Sequence, residues 1–248
     1  MASLFMTTTL KHIFFDLDGT LTRSHARIDE SNIATLSRLC DVKDVIIVTG
    51  GTYEDIRKQL TPALYDRYFS LAQSGGHGVD KSGKVLWREE ITPTQTVPIL
   101  ELIEKMKKGF DVKVRDENDC VELRGSQVSY SVLGYNEDID KKYAFDPDFS
   151  KRKRMLANFP AEIEHLRTLG VEVAVGGTTT FNFTRIGQDK GSNVARLIER
   201  ESWDKADCIY VGDALAPGEN DYAVVGVIET KSVRNPDETF SYIKEMLS

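Results

Sequence analysis

Cysteine is scarce in this chain. Cys40, Cys120 and Cys208 make an odd three with no short metal-type spacing. Neither a disulfide framework nor a zinc site is therefore expected, and a reducing cytoplasm is the natural compartment. Each is read as a small buried hydrophobe without a catalytic role. Long apolar runs are missing as well: no uninterrupted stretch approaches the ~20 residues that cross a bilayer, so no membrane span is expected. Met1 to Leu10 lack the basic stretch and cleavage site of a signal peptide. Met6 offers a second start, which would make Met1 to Phe5 an expression leader, and the sequence leaves both starts open. An excess of positive charge is also lacking: 32 Lys and Arg stand against 39 Asp and Glu, a net charge of -7. That balance argues against nucleic acid as a partner. One run, Lys151-Arg152-Lys153-Arg154, cuts across it. It is read as the solvated face of a helix or as a lip that draws in an anionic substrate.

What is present reads as an α/β protein. The 248 residues suffice for one large domain or for a core carrying a smaller insert. His12-Ile13-Phe14-Phe15-Asp16-Leu17 is an apolar run that ends in acidic residues, as a strand buried on both faces does. A helix is predicted over 31–39, a second buried strand over 45–48 and a helix over 53–60 bounded by Pro62. Strand then helix with short connections is the pattern of a parallel sheet with helices on both faces. It returns near the C-terminus: a helix over 190–201, strands over 208–211 and 223–228, and a closing helix over 238–247. Between these halves the texture changes to alternating stretches at 126–133 and 171–175 and helical ones at 97–107 and 150–169. An antiparallel α+β insert with two helices is expected there. The predicted division is a core over 1–80, an inserted unit over 81–186 and the rest of the core over 187–248. No Pro/Gly/Ser linker marks its seams.

Several apolar strands end in polar loops, and in an open parallel sheet the ligand crevice lies beyond the C-terminal strand ends. Asp16-Leu17-Asp18-Gly19-Thr20-Leu21-Thr22 puts two carboxylates two residues apart after a strand. One can attack phosphorus while the other donates a proton to the leaving oxygen and later takes one from water. Such a pair repels and needs a cation or hydrogen-bond donors beside it. Thr49-Gly50-Gly51-Thr52 opens a helix, where hydroxyl and N–H groups suit a phosphate. Lys190, in Gln188-Asp189-Lys190-Gly191, can neutralise a phosphoryl group and the attacking carboxylate together. Gly212-Asp213 comes directly off a strand, and Asn220-Asp221 returns after a glycine-bearing loop. Their oxygens suit Mg²⁺.

The ordered set DLDGTLT, VTGGT, QDKG and GDALAPGENDY resembles the haloacid dehalogenase superfamily of phosphotransferases. The stretch between the second and third motifs resembles the α+β cap of its subclass IIB. Within that subclass, VELRGSQVSYSVLGY and GGTTTFNF are most similar to the eukaryotic-type phosphomannomutase family. The resemblance implies a Rossmann-like core with an inserted cap and a Mg²⁺ cofactor. It implies a small phosphorylated sugar as substrate and a homodimer joined through the cap. At the matching positions Asp16 is the nucleophile and a Mg²⁺ ligand, and Asp18 is the acid/base that offers its carbonyl to the metal. Asp213 completes the ligands, Asn220 and Asp221 hold nearby water or phosphate, and Thr49, Gly50 and Lys190 bind the transferring group. Arg124, Thr180 and Asn182 fall where these mutases bind the sugar or its distal phosphate.

The chain departs from those mutases where their arginines grip a second phosphate. His25 and Tyr135 stand at two such places, and 139–142 offers no clear match for a third. Lysines lack the planar fork of such clamps. The leading expectation from sequence is therefore a Mg²⁺-dependent phosphatase that hydrolyses a phosphorylated sugar or polyol through an aspartyl phosphate. The alternative is a phosphohexomutase that returns the phosphoryl group to another hydroxyl. A non-catalytic sugar-phosphate-binding module is the third reading, weakened because all four motifs keep their chemical groups.

Overall fold

The computed structural model describes residues 10–110 and 112–248, so the leader reading for Met1 to Phe5 lies outside the described residues. In chain order the first elements are β1 (His12–Asp16), α1 (Glu30–Val42), β2 (Asp44–Val48), α2 (Tyr53–Leu60), β3 (Phe69–Ala72), β4 (His77–Val79) and β5 (Val85–Arg88). There follow α3 (Pro93–Gly109), β6 (Val121–Leu123), β7 (Val128–Ser131), α4 (Ile139–Phe145), α5 (Ser150–Leu156), α6 (Pro160–Thr168), β8 (Val171–Gly176) and β9 (Thr180–Arg185). The chain closes with α7 (Lys190–Glu201), β10 (Cys208–Gly212), β11 (Glu229–Ser232) and α8 (Pro236–Met246). These elements form two compact units. One holds the described residues up to Arg88 together with Gln188–Ser248; the other is Glu89–Gly187.

The first unit is built on a seven-stranded sheet in the order β11-β10-β1-β2-β3-β4-β5. The first five strands run parallel, and β4 and β5 add antiparallel at one edge. Along β1 the side chains alternate between two cores. Ile13 and Phe15 join Leu36 and Leu39 of α1, Ile56 and Leu60 of α2, and Phe240 and Ile243 of α8. Phe14 points the other way, with Ile46, Leu71 and Tyr210, against Val194, Leu197 and Ile198 of α7. Burial on both faces explains why β1, β2 and β10 read as continuous apolar runs.

Two sequence expectations for this unit change. The strand predicted over 223–228 is instead a 3-10 turn, Tyr222–Val224, whose Val224 packs into the core, and the edge strand is β11. The sequence pattern places 81–88 in the insert, yet β5 pairs with β4 across the Asp80–Gly83 turn and belongs to the large sheet.

The second unit has a four-stranded antiparallel sheet in the order β6-β7-β9-β8. Period-two alternation gives it one apolar face: Val128, Tyr130, Phe181 and Phe183 pack with Ile99, Leu102, Ile103 and Met106 of α3 and Leu166 of α6. The opposite face carries Ser129, Ser131, Thr180 and Asn182. The helix predicted over 150–169 is two helices, because Pro160 begins α6 and cannot continue α5. Counting α3 and α4, the described residues of this unit hold four helices rather than the expected two.

The basic run in α5 is also divided. Lys151, Lys153 and Arg154 are exposed, but Arg152 is fully buried. Its Nε donates to Asp146 Oδ2 at 2.7 Å, and Nη1 donates to the carbonyls of Gly176 at 2.6 Å and Thr180 at 2.9 Å. One guanidinium thus ties α5 to the β8–β9 turn. Arg152→Met should cost about 3–5 kcal/mol, because it removes the counter-charge of buried Asp146 and the donor to three carbonyls, that of Gly177 included. Urea denaturation of the variant is the measurement, and an unchanged midpoint would show that this clamp carries no stability.

Candidate active site

The chemistry-bearing loops of the first unit meet at the C-terminal ends of its parallel strands. Asp16 is the last residue of β1, Thr49 follows β2, and Asp213 follows β10. Lys190 is the first residue of α7, whose N-cap Asp189 closes a capping box with Ser192. Gly19 has φ +91°, and a Cβ there would lie 2.4 Å from Asp213 Oδ2. The acidic loop can therefore approach Asp213 only with glycine at this position. Thr20 Oγ1 then donates to Asp213 Oδ1 at 3.1 Å.

At the centre Lys190 is 3% exposed, and its Nζ donates to Asp16 Oδ1 and Asp221 Oδ1, each at 2.6 Å. Asp16 is 3% and Asp221 0% exposed. Burial raises the Asp16 carboxyl well above the usual range; Lys190 opposes that shift and Asp221 adds to it. Burial also works against the Lys190 charge, but the two carboxylates outweigh it and hold its pKa above the ordinary lysine value. Asp213 opens to solvent, yet desolvation in the crevice and the nearby Asp221 raise its pKa, against the Thr20 hydroxyl.

The expected site residues separate as follows. Asp16, Asp213 and Asp221 each offer a carboxylate oxygen within 4.8 Å of the others, and Lys190 joins them. Asp18 does not add its carboxylate to that cluster; its Oδ1 accepts from the His25 backbone N–H at 2.6 Å. The buried Thr49 hydroxyl accepts from Gly51 N–H at 3.1 Å, which shapes the turn through Gly50. Asn220 is exposed on the loop before Asp221. Arg124, Thr180 and Asn182 lie in the second unit. Arg124 Nε donates to Glu122 Oε2 at 2.7 Å, and Thr180 Oγ1 donates to the Gly176 carbonyl at 2.6 Å. Asn182 Oδ1 accepts from Ser129 Oγ at 2.5 Å and Gln127 Nε2 at 3.1 Å.

Sequence reasoning missed Tyr210. It is completely buried in β10, and its hydroxyl donates to Asp221 Oδ1 at 2.7 Å. A phenol inside an apolar strand, two residues before a glycine-aspartate turn, was the available signal, since a buried hydroxyl seeks a partner. The Gln73–Gly75 turn was missed too. Gln73 and Ser74 take φ of +54° and +55°, and backbone bonds tie the turn to Gly51 and Thr49. Such strain gathers at functional sites.

Three carboxylates against one ammonium, with Asp16, Asp221 and Lys190 buried and Asp213 at the solvent edge, leave this cluster short of positive charge. Asp221 Oδ2 is buried and has no hydrogen-bond partner among the described residues. Hard oxygen donors, excess negative charge and an orphaned carboxylate oxygen fit a divalent cation of the Mg²⁺ type.

The fold and this cluster define a Rossmann-like α/β core carrying a carboxylate–lysine centre at its strand ends. The profile of the haloacid dehalogenase-like hydrolases matches residues 13–228, and the chain belongs to that family. It is an enzyme of the phosphotransferase type. It is similar to the phosphomannomutase of Schizosaccharomyces pombe, with 24% identity covering 95% of this chain and 94% of the relative. The phosphomannomutase of Saccharomyces cerevisiae is likewise 24% identical, over 95% of this chain and 94% of its own. Among solved structures, an IMP-bound IMP-nucleotidase of Plasmodium falciparum superposes with a TM-score of 0.68 at 17% identity, covering 96% of this chain and 68% of that one. A haloacid dehalogenase-like hydrolase from Bacteroides thetaiotaomicron gives 0.63 at 16% identity, covering 95% and 99%. At such identities the structures speak for the fold alone. Among the described residues no helix is long and apolar enough to cross a membrane.

Proposed function

We propose that the chain is a Mg²⁺-dependent phosphotransferase that acts on a small phosphorylated sugar through an aspartyl phosphate on Asp16. The observation that carries this reading is the buried meeting of Asp16, Asp221 and Lys190, with Asp213 beside them, at the ends of parallel strands. An Asp16 oxygen attacks phosphorus in line, and the bond from phosphorus to the sugar oxygen breaks. Asp18 gives its proton to that departing oxygen. Asp18 then takes a proton from the incoming hydroxyl, which attacks the aspartyl phosphate and frees Asp16. Lys190 neutralises the phosphoryl oxygens during both transfers, and Thr49 and Gly50 present donors to them. Asp16, Asp213 and Asp221, with the Asp18 carbonyl, are the groups that would hold Mg²⁺, and Asn220 would serve the phosphate nearby. When bound, the ion supplies charge neutralisation for the phosphoryl group.

Two acceptors are open to the aspartyl phosphate. The phosphomannomutase names of the relatives favour a sugar hydroxyl, the alternative expectation from sequence, over hydrolysis, the leading one. Hydrolysis stays as the second reading because His25 and Tyr135 stand where the mutases place phosphate-gripping arginines, and because Arg124, on the second unit, is already paired with Glu122, which weakens it as a clamp for a second phosphate. We assign Arg124, Thr180 and Asn182 to sugar recognition, Glu89–Gly187 to the cap, and a cytoplasmic homodimer to the same reading.

The test is incubation with mannose 1-phosphate or glucose 1-phosphate and Mg²⁺, with and without a bisphosphate activator. Isomerised sugar phosphate without phosphate release supports the mutase, and free phosphate without isomerisation supports the phosphatase. If neither product forms over a broad sugar-phosphate panel, the substrate class is wrong.

A further inference from the structure

Asp221 has two oxygens with different surroundings. Oδ1 accepts from Lys190 Nζ at 2.6 Å and from the Tyr210 hydroxyl at 2.7 Å. Oδ2 has no hydrogen-bond partner among the described residues, although it is buried. The pocket around it is tight: a Cβ on Gly212 would fall 2.5 Å from Oδ2. A carboxylate plane can swing about its Cβ–Cγ bond, and a single lysine contact would not fix that angle. Two donors converging from different elements do. Lys190 reaches Oδ1 from the start of α7, and Tyr210 reaches it from within β10.

We propose that Tyr210 is a positioning residue that reserves Asp221 for a divalent cation: with Lys190 it engages Oδ1, so that Oδ2 is held for the ion or its hydration water. The inference rests on the metal-dependent reading above, but it concerns the orientation of one carboxylate rather than the reaction. Tyr210 belongs to this role by connectivity. Its ring lies in the apolar core with Phe14, Ile46 and Val194, and only its hydroxyl enters the acidic cluster. The burial of a polar tip inside such a core is justified by the partner it finds. Groups that orient metal-binding carboxylates typically change metal affinity by about 10- to 100-fold when removed.

The experiment compares the wild-type protein with Tyr210→Phe, which deletes one oxygen atom and keeps the ring. Mn²⁺ serves as the probe. Its binding is followed by electron paramagnetic resonance without substrate, and the melting temperature is recorded in a chelator and across the Mn²⁺ titration. The expected result is an Mn²⁺ affinity about 10-fold weaker in Tyr210→Phe, with a smaller metal-induced rise in melting temperature. A purely structural hydroxyl would lower the chelator melting temperature and leave the affinity unchanged; that outcome overturns the inference. If the wild-type protein itself binds no Mn²⁺, the metal reading falls and the inference with it. Binding by the wild type with equal binding by the variant overturns the inference alone.

Discussion

Asp16→Asn is expected to reduce turnover by about 10⁴-fold or more while leaving the protein folded and at least as stable in the absence of metal. The first half follows from chemistry. An amide oxygen is a poor nucleophile and cannot carry the phosphoryl group, so the covalent route closes. The second half follows from the electrostatics of the cluster. Asp16, Asp213 and Asp221 face a single ammonium, and burial together with Asp221 pushes the Asp16 carboxyl toward its neutral form. Asparagine has nearly the same shape, keeps an oxygen for Lys190, and removes one charge from a site with too many of one sign. Its melting temperature in chelator should therefore match or exceed that of the wild type. Steady-state assays on whichever sugar phosphate the incubation panel identifies, with thermal denaturation in chelator, test both halves. Retained activity would remove Asp16 as nucleophile. A large loss of stability would mean that its charge is structural.

The loops that make this prediction possible were legible because their strands are buried on both faces. Such strands give unbroken apolar runs, and a run that stops abruptly at a carboxylate shows where the sheet ends. Helices α2 and α7 were legible because each sets a helical apolar stripe directly after a polar loop, Ile56 and Leu60 in one and Val194, Leu197 and Ile198 in the other. The missed parts share a different physics. Strand β11 reads Glu-Thr-Lys-Ser and lies at the sheet edge, so nothing apolar announces it. The apolar run just before it earns its hydrophobicity by packing Val224 and Ile228 from irregular backbone. Arg152 resembled its three basic neighbours because charge alone cannot tell a solvated helix face from a clamp on buried carbonyls. Tyr210 was hidden by the hydrophobic strand around it. Its role depends on a partner eleven residues away that only the fold brings near.

Lys190→Met should be damaging in a different way from Asp16→Asn, and the contrast separates the two roles. The lysine is 3% exposed and bridges two carboxylates at 2.6 Å each. Methionine fills similar space but leaves Asp16 and Asp221 buried without their counter-charge. Removing one partner of a buried ion pair costs about 3–5 kcal/mol, and here two acceptors lose the same donor. The metal-free variant should thus melt well below the wild type, whereas Asp16→Asn should not. Turnover should also fall by about 10²- to 10³-fold, the range for losing one preorganised charge opposite the reacting group. Lys190→Arg should not restore it, because a planar guanidinium cannot occupy the point between two carboxylates that an ammonium fills. If a divalent cation occupies the cluster, millimolar Mg²⁺ should recover part of the lost stability of Lys190→Met, through preferential binding to the folded state. It should raise the melting temperature of that variant more than that of Asp16→Asn, which has one ligand fewer. Equal responses to Mg²⁺ in the two variants would remove Asp16 from the ligands of the ion.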